Sequence, residues 1–438
     1  MKNLLLFAEK IFTIISLLNY LGGPIALILS GGESEGEGTG VASYPVIQAI
    51  FFLNYAISVG LLLLRWKQVI YVIKKDRFNQ LLLAVILMSY FWSAAPSVTM
   101  VRSIALIGTN LFGLYFATRY SLREQLHLLG WTFSIAIIFS LGLAIALPKY
   151  GIMSGAHAGK WRGMFTHKNA LGKSMVLSSL IFLLGALGEK KNKLLWWGGF
   201  GCSIFLLLMS KSSSAIVILL IVGLTFLIVR AARLPYLLML PTIILLSLIG
   251  LFLNLWLADN VTLLLGSIGK DATLTGRSDL WPAVMDKIWE RPWLGYGFSG
   301  FWGDNTSEAA YVWRVTGWDP PNSHNGILDI WLDLGLVGLS IYLVGFVISL
   351  ICGLGFVRRN QSFDTLWPVM YLFYFWFSNQ TESAFLRQND IYWFLYIVVT
   401  FSLLAPKFSA KSIPIPSRID SQRETLSKRP NRSRSIKN

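Results

Sequence analysis

Of 438 residues, 54% are apolar and only 14% charged. A soluble domain carries about 25% charged residues, so a body this large cannot be clothed for water and must be solvated largely by lipid. The formal charge of +16 would suit a nucleic-acid binder. Here, however, the cations fall in short segments between apolar runs, as membrane topology demands, and nucleic acid is not an expected partner.

Runs of about 20 apolar residues cross a hydrocarbon core about 30 Å thick, and they do so as helices because a helix satisfies its own backbone polar groups. In chain order the runs predict spans at 11–30, 46–64, 79–93, 98–118, 126–147, 170–187, 194–209, 215–230, 236–256, 326–350, 366–379 and 391–405. The fold class expected is therefore all-α, a polytopic transmembrane helical bundle of about twelve helices. The run from Ile11 to Leu29 is longer than a signal-peptide core and lacks a convincing small-x-small cleavage site, so a retained first helix is expected.

Alternating these spans from a cytoplasmic N-terminus puts most of the 38 Lys and Arg residues inside. Arg65, Lys67, Lys74, Lys75 and Arg77 share one inside loop, and Arg119 and Arg123 the next. Lys190, Lys191 and Lys193 follow, then Arg230 with Arg233, then Arg358 with Arg359. Only this orientation, with both termini cytoplasmic, satisfies the positive-inside rule. Residues 1–405 form one transmembrane domain. The segment 406–438, rich in Ser, Pro, Lys and Arg, is expected to be a disordered cytoplasmic tail.

One outer loop is long, 257–325, and carries Trp281, Trp289, Trp293, Trp302, Trp313 and Trp318. Long loops in compact proteins tend to be functional. Its rings suit two compatible roles: anchors at the lipid interface, or a platform on which sugars stack, with Trp281, Trp293 and Trp302 as the candidates.

The cations that remain outside gather near a few segments. Lys160, Arg162, Lys168 and Lys173 flank KWRGMFTHKNALGKS, Lys211 sits in the turn LLLMSKSSSA, and Arg277, Lys287, Arg291 and Arg314 lie in the long loop. Positive charge there runs against the topological bias. Either each cation pairs with neighbours such as Asp279, Asp286 and Glu290, or the cluster binds an anion through charge-assisted hydrogen bonds. Of the 4 histidines, His167 and His324 each precede an Asn and a helix. An imidazole of near-neutral pKa is a natural general base. His324 closes the long loop on the side of the basic cluster, and Asp329 and Asp333 follow it one turn apart. His167, Asn169, Asn325 and Asp329 form a supporting set. There is no Walker loop, metal-binding His/Cys cluster, dinucleotide turn or Asp-x-Asp pair, so neither a metal nor a cofactor is expected.

The succession GMFTHKNALG, LLLMSKSSSA, TGRSDLW, RPWLGYGFSGFW and NSHNGILDIWLDLGLVGL resembles the O-antigen ligase and polymerase superfamily, and most of all its exopolysaccharide polymerases, over residues 80–405. The resemblance implies a metal-independent glycosyltransferase of the bacterial inner membrane with a large periplasmic loop. Such an enzyme moves a glycan from an undecaprenyl-diphosphate carrier to an acceptor hydroxyl. The acceptor is a second lipid-linked repeat unit in polymerases and the lipid A core in ligases. Its partners would be the lipid-linked glycan, the acceptor glycan, membrane lipid and other polysaccharide-assembly proteins.

By the same resemblance Arg277 of TGRSDLW matches the arginine proposed to contact the diphosphate, and His324 matches the histidine proposed to activate the acceptor. Lys211, Arg162 and Lys168 are helpers for the diphosphate. The chain departs from the pattern at the serine-rich turn, where Ser213 stands near the position of an arginine in many members and Lys211 is the nearest cation. The rival class is a transporter or lipid-linked glycan flippase. It should show paired repeats and mid-membrane charges, whereas no repeat is evident here and the charges gather at one face.

Overall fold

The structure, a computed structural model, describes residues 2–22, 24–29, 31, 45–235, 237–238, 241–242, 245, 277–302 and 307–404. Its helices are α1 (Lys2–Tyr20), α2 (Pro24–Leu29), α3 (Pro45–Leu63), α4 (Trp66–Ile73), α5 (Arg77–Met88), α6 (Pro96–Arg119), α7 (Leu122–Ala146) and α8 (Pro148–Gly151). They continue as α9 (Lys168–Gly188), α10 (Lys193–Ser210), α11 (Ser213–Ala231), α12 (Arg277–Glu290), α13 (Ser307–Thr316), α14 (Gly326–Arg359), α15 (Trp367–Ser378) and α16 (Ile391–Leu404). The described residues thus form an all-α polytopic membrane protein. The expected tail, 406–438, lies outside them.

The twelve expected spans resolve into three groups. Among the described residues, eight helices are long and apolar enough to cross a membrane: α1, α3, α6, α7, α9, α10, α11 and α14. Three are short, with α5 and α15 of 12 residues and α16 of 14. The span at 236–256 lies mostly outside the described residues.

Two boundaries differ from expectation for clear reasons. The first helix begins at Lys2 rather than near residue 11, because Glu9, which should interrupt an apolar run, is neutralised by Arg65 at 3.2 Å and Arg119 at 2.9 Å. The tenth expected span, 326–350, extends to Arg359, giving 34 residues with a break at Gly335. At 1.5 Å per residue that is about 51 Å, more than a bilayer core requires. The part after the break is long enough to cross by itself, so the part before it can stand outside the hydrocarbon.

The loops expected on the inside meet at one end of the bundle. Arg123 grips Glu189 through two bonds of 2.6 Å. Arg233 donates to the carbonyls of Gln361 and Ser362 at 3.1 and 2.8 Å, and Arg230 lies over the Phe363 ring at 5.9 Å. The middle of the bundle is aromatic: Tyr20, Phe112 and Phe394 form a mutual cluster, with centroids 5.1, 4.8 and 5.4 Å apart. α9 and α16 are buried along most of their length.

At the opposite end α12 and α13 form a small cap. Leu280, Val284, Ile288, Phe301, Val312 and Leu332 give it a core of its own. The cap also uses up part of the basic cluster. Burial works against the Lys287 charge, but hydrogen bonds to Glu290 at 2.9 Å and Glu308 at 3.2 Å outweigh it and hold its pKa above the usual lysine value.

Candidate functional site

α14 is the axis of the site. At Gly335 its backbone takes φ 64° and ψ −169°, a region open in practice to glycine alone. The break frees backbone groups that must find other partners, and Pro292–Tyr296 supplies them. Leu336 N–H donates to the Pro292 carbonyl at 2.8 Å, Val337 N–H to that of Trp293 at 3.2 Å, and Tyr296 N–H to that of Leu332 at 2.9 Å. The Trp331 indole also donates to Pro292, at 3.1 Å. The motifs PWLGYGF and LGLVGL are therefore two halves of one structure. The other side of the segment is tied to the turn between α5 and α6. Ala94 N–H donates to the Tyr296 carbonyl at 2.8 Å, Thr99 to that of Phe298 at 2.8 Å, and Phe298 N–H to the Ser89 hydroxyl at 3.0 Å.

Beside this clamp lies a cavity of about 320 Å³, within the range of about 300–1,000 Å³ usual for small-molecule sites. Its two walls differ. Tyr20, Leu21, Ile25, Ile47 and Phe51, from α1–α3, make an apolar wall. The other wall is polar and charged: Arg102, His167, Asn169, Lys173, Asp329, Asp333, Glu382, Arg387 and Asp390. Non-glycine residues with left-handed backbone concentrate here. Ser299, Leu386 and Asn389 line the cavity, with φ of 53°, 54° and 57°. Strain of this kind costs about 1–3 kcal/mol per residue and gathers at functional sites.

His324, with φ 53°, adjoins the cavity through Pro321 and Asn322, which line it. The histidine is buried and stacked on Trp318 at 6.1 Å. Its turn is held by short polar side chains. The Asn322 side-chain carbonyl accepts His324 N–H at 2.9 Å, the Ser323 hydroxyl donates to the Asn325 carbonyl at 2.7 Å, and Asn325 caps α14 by accepting Ile327 N–H at 3.0 Å. Asp329 locks the turn to its surroundings. It accepts from Ser323 N–H at 3.0 Å, from the Trp302 indole at 3.1 Å and from the Ser383 hydroxyl.

The Trp281 indole donates to the Ser323 carbonyl at 3.0 Å. This joins α12 to the His324 turn. Arg277 is the first residue of α12, one helical turn before Trp281, and its side chain lies outside the described residues.

Asn169 joins three segments. Its side-chain carbonyl accepts from Lys168 at 3.0 Å and Ser212 at 3.1 Å, and its amide donates to Glu382 at 3.4 Å. His167 caps α9, its Nδ1 accepting Asn169 N–H at 3.2 Å. Of the expected site residues, His167, Asn169, Asp329 and Trp302 line the cavity, and His324 and Asn325 stand at its edge.

The remaining candidates lie elsewhere. Lys211 caps α10 with its side chain exposed. Lys168 is buried against Asn169. Arg162 is buried with its guanidinium on the Tyr150 and Lys149 carbonyls at 2.7 and 3.0 Å, and that burial lowers its pKa. Trp281 serves as a strut, and Trp293, 67% exposed beside the break, faces outward.

Sequence reasoning did not single out Arg102, Arg387, Glu382 or Asp390, and it used Lys173 only as one of a basic group. Arg387 and Asp390 sit with Glu382 in NQTESAFLRQND, between α15 and α16, whose only signal is three charges in a short loop. There Lys173 stands over the Tyr392 ring at 4.2 Å, and Arg387 lies 3.9 Å from Asp390. Burial pushes the Asp390 carboxyl up, and Arg387 and Lys173 oppose that shift.

Fold and site together define a multi-pass membrane protein with an amphipathic, charged cavity at one end. Residues 198–343 match the family model described as O-antigen ligase. The matched stretch runs from α10 through the Gly335 break and includes the α10–α11 turn, the cap and the His324 turn. The chain is also 26% identical over 261 residues to the exopolysaccharide production protein ExoQ of Rhizobium meliloti (strain 1021). That alignment covers 57% of this chain and 59% of the relative, less than two thirds of its length. Both findings bear out the resemblance to the O-antigen ligase and polymerase superfamily.

Proposed function

We propose that this protein transfers a glycan from an undecaprenyl-diphosphate carrier to an acceptor hydroxyl at the outer face of the bacterial plasma membrane, and that it polymerises exopolysaccharide or O-antigen repeat units. The observation that carries the reading is the two-walled cavity: α1–α3 offer apolar surface to a lipid chain, and the opposite wall offers charge to a diphosphate and sugars. The similarity to an exopolysaccharide production protein favours polymerisation. The cation-rich end of the bundle is then cytoplasmic, with both termini.

In the reaction the acceptor oxygen attacks the anomeric carbon while the bond from that carbon to the diphosphate oxygen breaks. The electron pair leaves with the diphosphate. Arg277, at the start of α12, offsets the charge that builds there, in place of a divalent ion. His324 takes the proton of the acceptor hydroxyl. The left-handed turn and the Asp329 lock hold that histidine in one place, which is the preorganisation such a step needs. A direct displacement inverts the anomeric centre.

Ligation is the second reading, favoured by the O-antigen ligase description of the matched family. The glycan profile of a deletion strain, complemented with wild type or Arg277→Ala, separates the two. Loss of long polymer with accumulation of single lipid-linked repeats, in both the deletion and the Arg277→Ala strain, supports the polymerase. Polymer that persists on its carrier but never reaches lipid A or another acceptor means a ligase. Repeat units trapped on the cytoplasmic face overturn the assignment in favour of a flippase.

A further inference from the structure

We propose that α4 is an in-plane helix at the cation-rich end of the bundle that binds an anionic phospholipid, with Lys67, Lys74 and Lys75 on the headgroup phosphate and Trp66 and Ile70 in the acyl layer beside it. The inference is independent of the transferase reading, and the site lies at the opposite end of the molecule from the cavity.

α4 has only 8 residues, about 12 Å at 1.5 Å per residue, too short to cross a bilayer. The fold fixes it in place along its length. Arg65, just before it, binds Glu9 of α1 at 3.2 Å, and Glu9 also binds Arg119 at the end of α6 at 2.9 Å. In the middle, Val72 is buried, and Val69 and Ile73 pack on the core. After it, Asp76 caps α5 and accepts from the Asn79 side-chain amide at 2.7 Å.

At about 3.6 residues per turn, the positions left facing outward fall on two strips. Trp66 and Ile70, one turn apart, are 55% and 42% exposed. They continue an apolar surface that begins at the end of α3 with the exposed Leu63 and Leu64. Lys67 and Lys74, two turns apart, share the neighbouring strip with Lys75, and all three are exposed. A helix that sets a tryptophan and an aliphatic side chain beside a row of lysines is suited to lie in the interface, with its apolar strip at the acyl boundary and its lysines level with the phosphates.

Nearby acids do not use up this charge. Asp76 is 5% exposed and held by Asn79, and Glu9 is taken by Arg65 and Arg119. Among the described residues, Lys67, Lys74 and Lys75 form no ion pair. Their close contacts are aromatic: the Lys67 ammonium lies 5.7 Å from the Trp66 ring and that of Lys75 4.6 Å from the Tyr71 ring. A ring steadies an ammonium group without neutralising it. An anion that carries hydrocarbon meets both strips at once, whereas a free phosphate meets only one.

The test uses the full-length protein in detergent, titrated with phosphatidylglycerol or phosphatidylcholine, with the tightest-bound lipid followed by native mass spectrometry. Wild type should bind phosphatidylglycerol well above phosphatidylcholine. Lys67→Gln/Lys74→Gln/Lys75→Gln should weaken phosphatidylglycerol binding about tenfold or more, about 1.4 kcal/mol, and leave phosphatidylcholine binding unchanged. Trp66→Ser/Ile70→Ser keeps every lysine and should weaken phosphatidylglycerol binding as well. Lys190→Gln/Lys191→Gln/Lys193→Gln removes the same charge from another loop at this end and should bind as wild type.

Wild-type affinity in the α4 lysine variant overturns the site. Equal losses in the two lysine variants overturn it too, because the general charge of this end of the bundle would then suffice. Full binding by Trp66→Ser/Ile70→Ser, or displacement of the lipid by inorganic phosphate, would overturn the lipid as occupant. If the triple variant does not fold, Lys67→Gln and Lys74→Gln decide singly, each with an expected loss of about fivefold.

Discussion

Gly335 and Trp293 are in contact through their backbones: a Cβ added at Gly335 would lie 2.1 Å from the Trp293 carbonyl carbon. The helix must break there for the loop to enter, and the loop must enter for the broken helix to be satisfied.

Gly335→Ala therefore meets two obstacles. The backbone region is strained for any side chain, at about 1–3 kcal/mol, and the methyl group collides with Trp293. The variant should melt several degrees below wild type in detergent and lose activity along with the loop geometry. Unchanged melting with full activity would mean that the break is not needed.

Asp329 accepts from Trp302, Ser323 and Ser383. Asp329→Ala leaves those three donors without their acceptor, each at about 1–3 kcal/mol where water cannot replace it. Asp329→Asn keeps one acceptor oxygen and should lose less. The order of thermal stability should be wild type, then Asn, then Ala. Equal melting of all three would show that the lock contributes nothing.

Asp76, between α4 and α5, gives a pH signature. Burial raises its carboxyl from 3.8 to about 6, against hydrogen bonds from Asn79. Below about pH 4 the group is neutral whether the chain is folded or not. Between about 4 and about 6 the unfolded chain has released the proton while the folded protein still holds it, so stability falls as pH rises. Above about 6 the full penalty applies, about 3 kcal/mol. Asp76→Asn stays neutral and can still accept Asn79 N–H. Melting curves in detergent across this range should slope for wild type and flatten for the variant, and parallel curves would remove Asp76 as the cause.

Much of this was legible locally. Apolar runs mark the long helices because lipid imposes their length, and the Lys and Arg segments mark loops that do meet at one end. What was hidden depends on distance along the chain. Glu9 sits inside α1 only because Arg65 and Arg119, 56 and 110 residues away, neutralise it. Arg162 reads as a free cation until the fold brings its guanidinium onto two carbonyls. Lys173 reads only as one of a group of cations around KWRGMFTHKNALGKS, and Arg387 belongs to no motif. Only the meeting of α9 with the α15–α16 loop makes them neighbours, and no sequence period records that meeting.

Trp281 provides the most discriminating probe of the proposed chemistry. Its indole donates to the Ser323 carbonyl at 3.0 Å, so one bond joins the helix that begins with Arg277 to the turn that carries His324. Trp281→Phe keeps the ring in the cap and deletes that bond, a loss of about 1 kcal/mol in stability. If the two proposed groups act together, misplacing one against the other costs far more in rate than in stability, because transfer depends on alignment. Turnover of a lipid-linked glycan by the purified variant should fall about tenfold or more, with carrier binding and melting nearly unchanged. A loss of turnover no larger than the loss of stability would instead make Trp281 a packing residue and separate Arg277 from His324 in the mechanism.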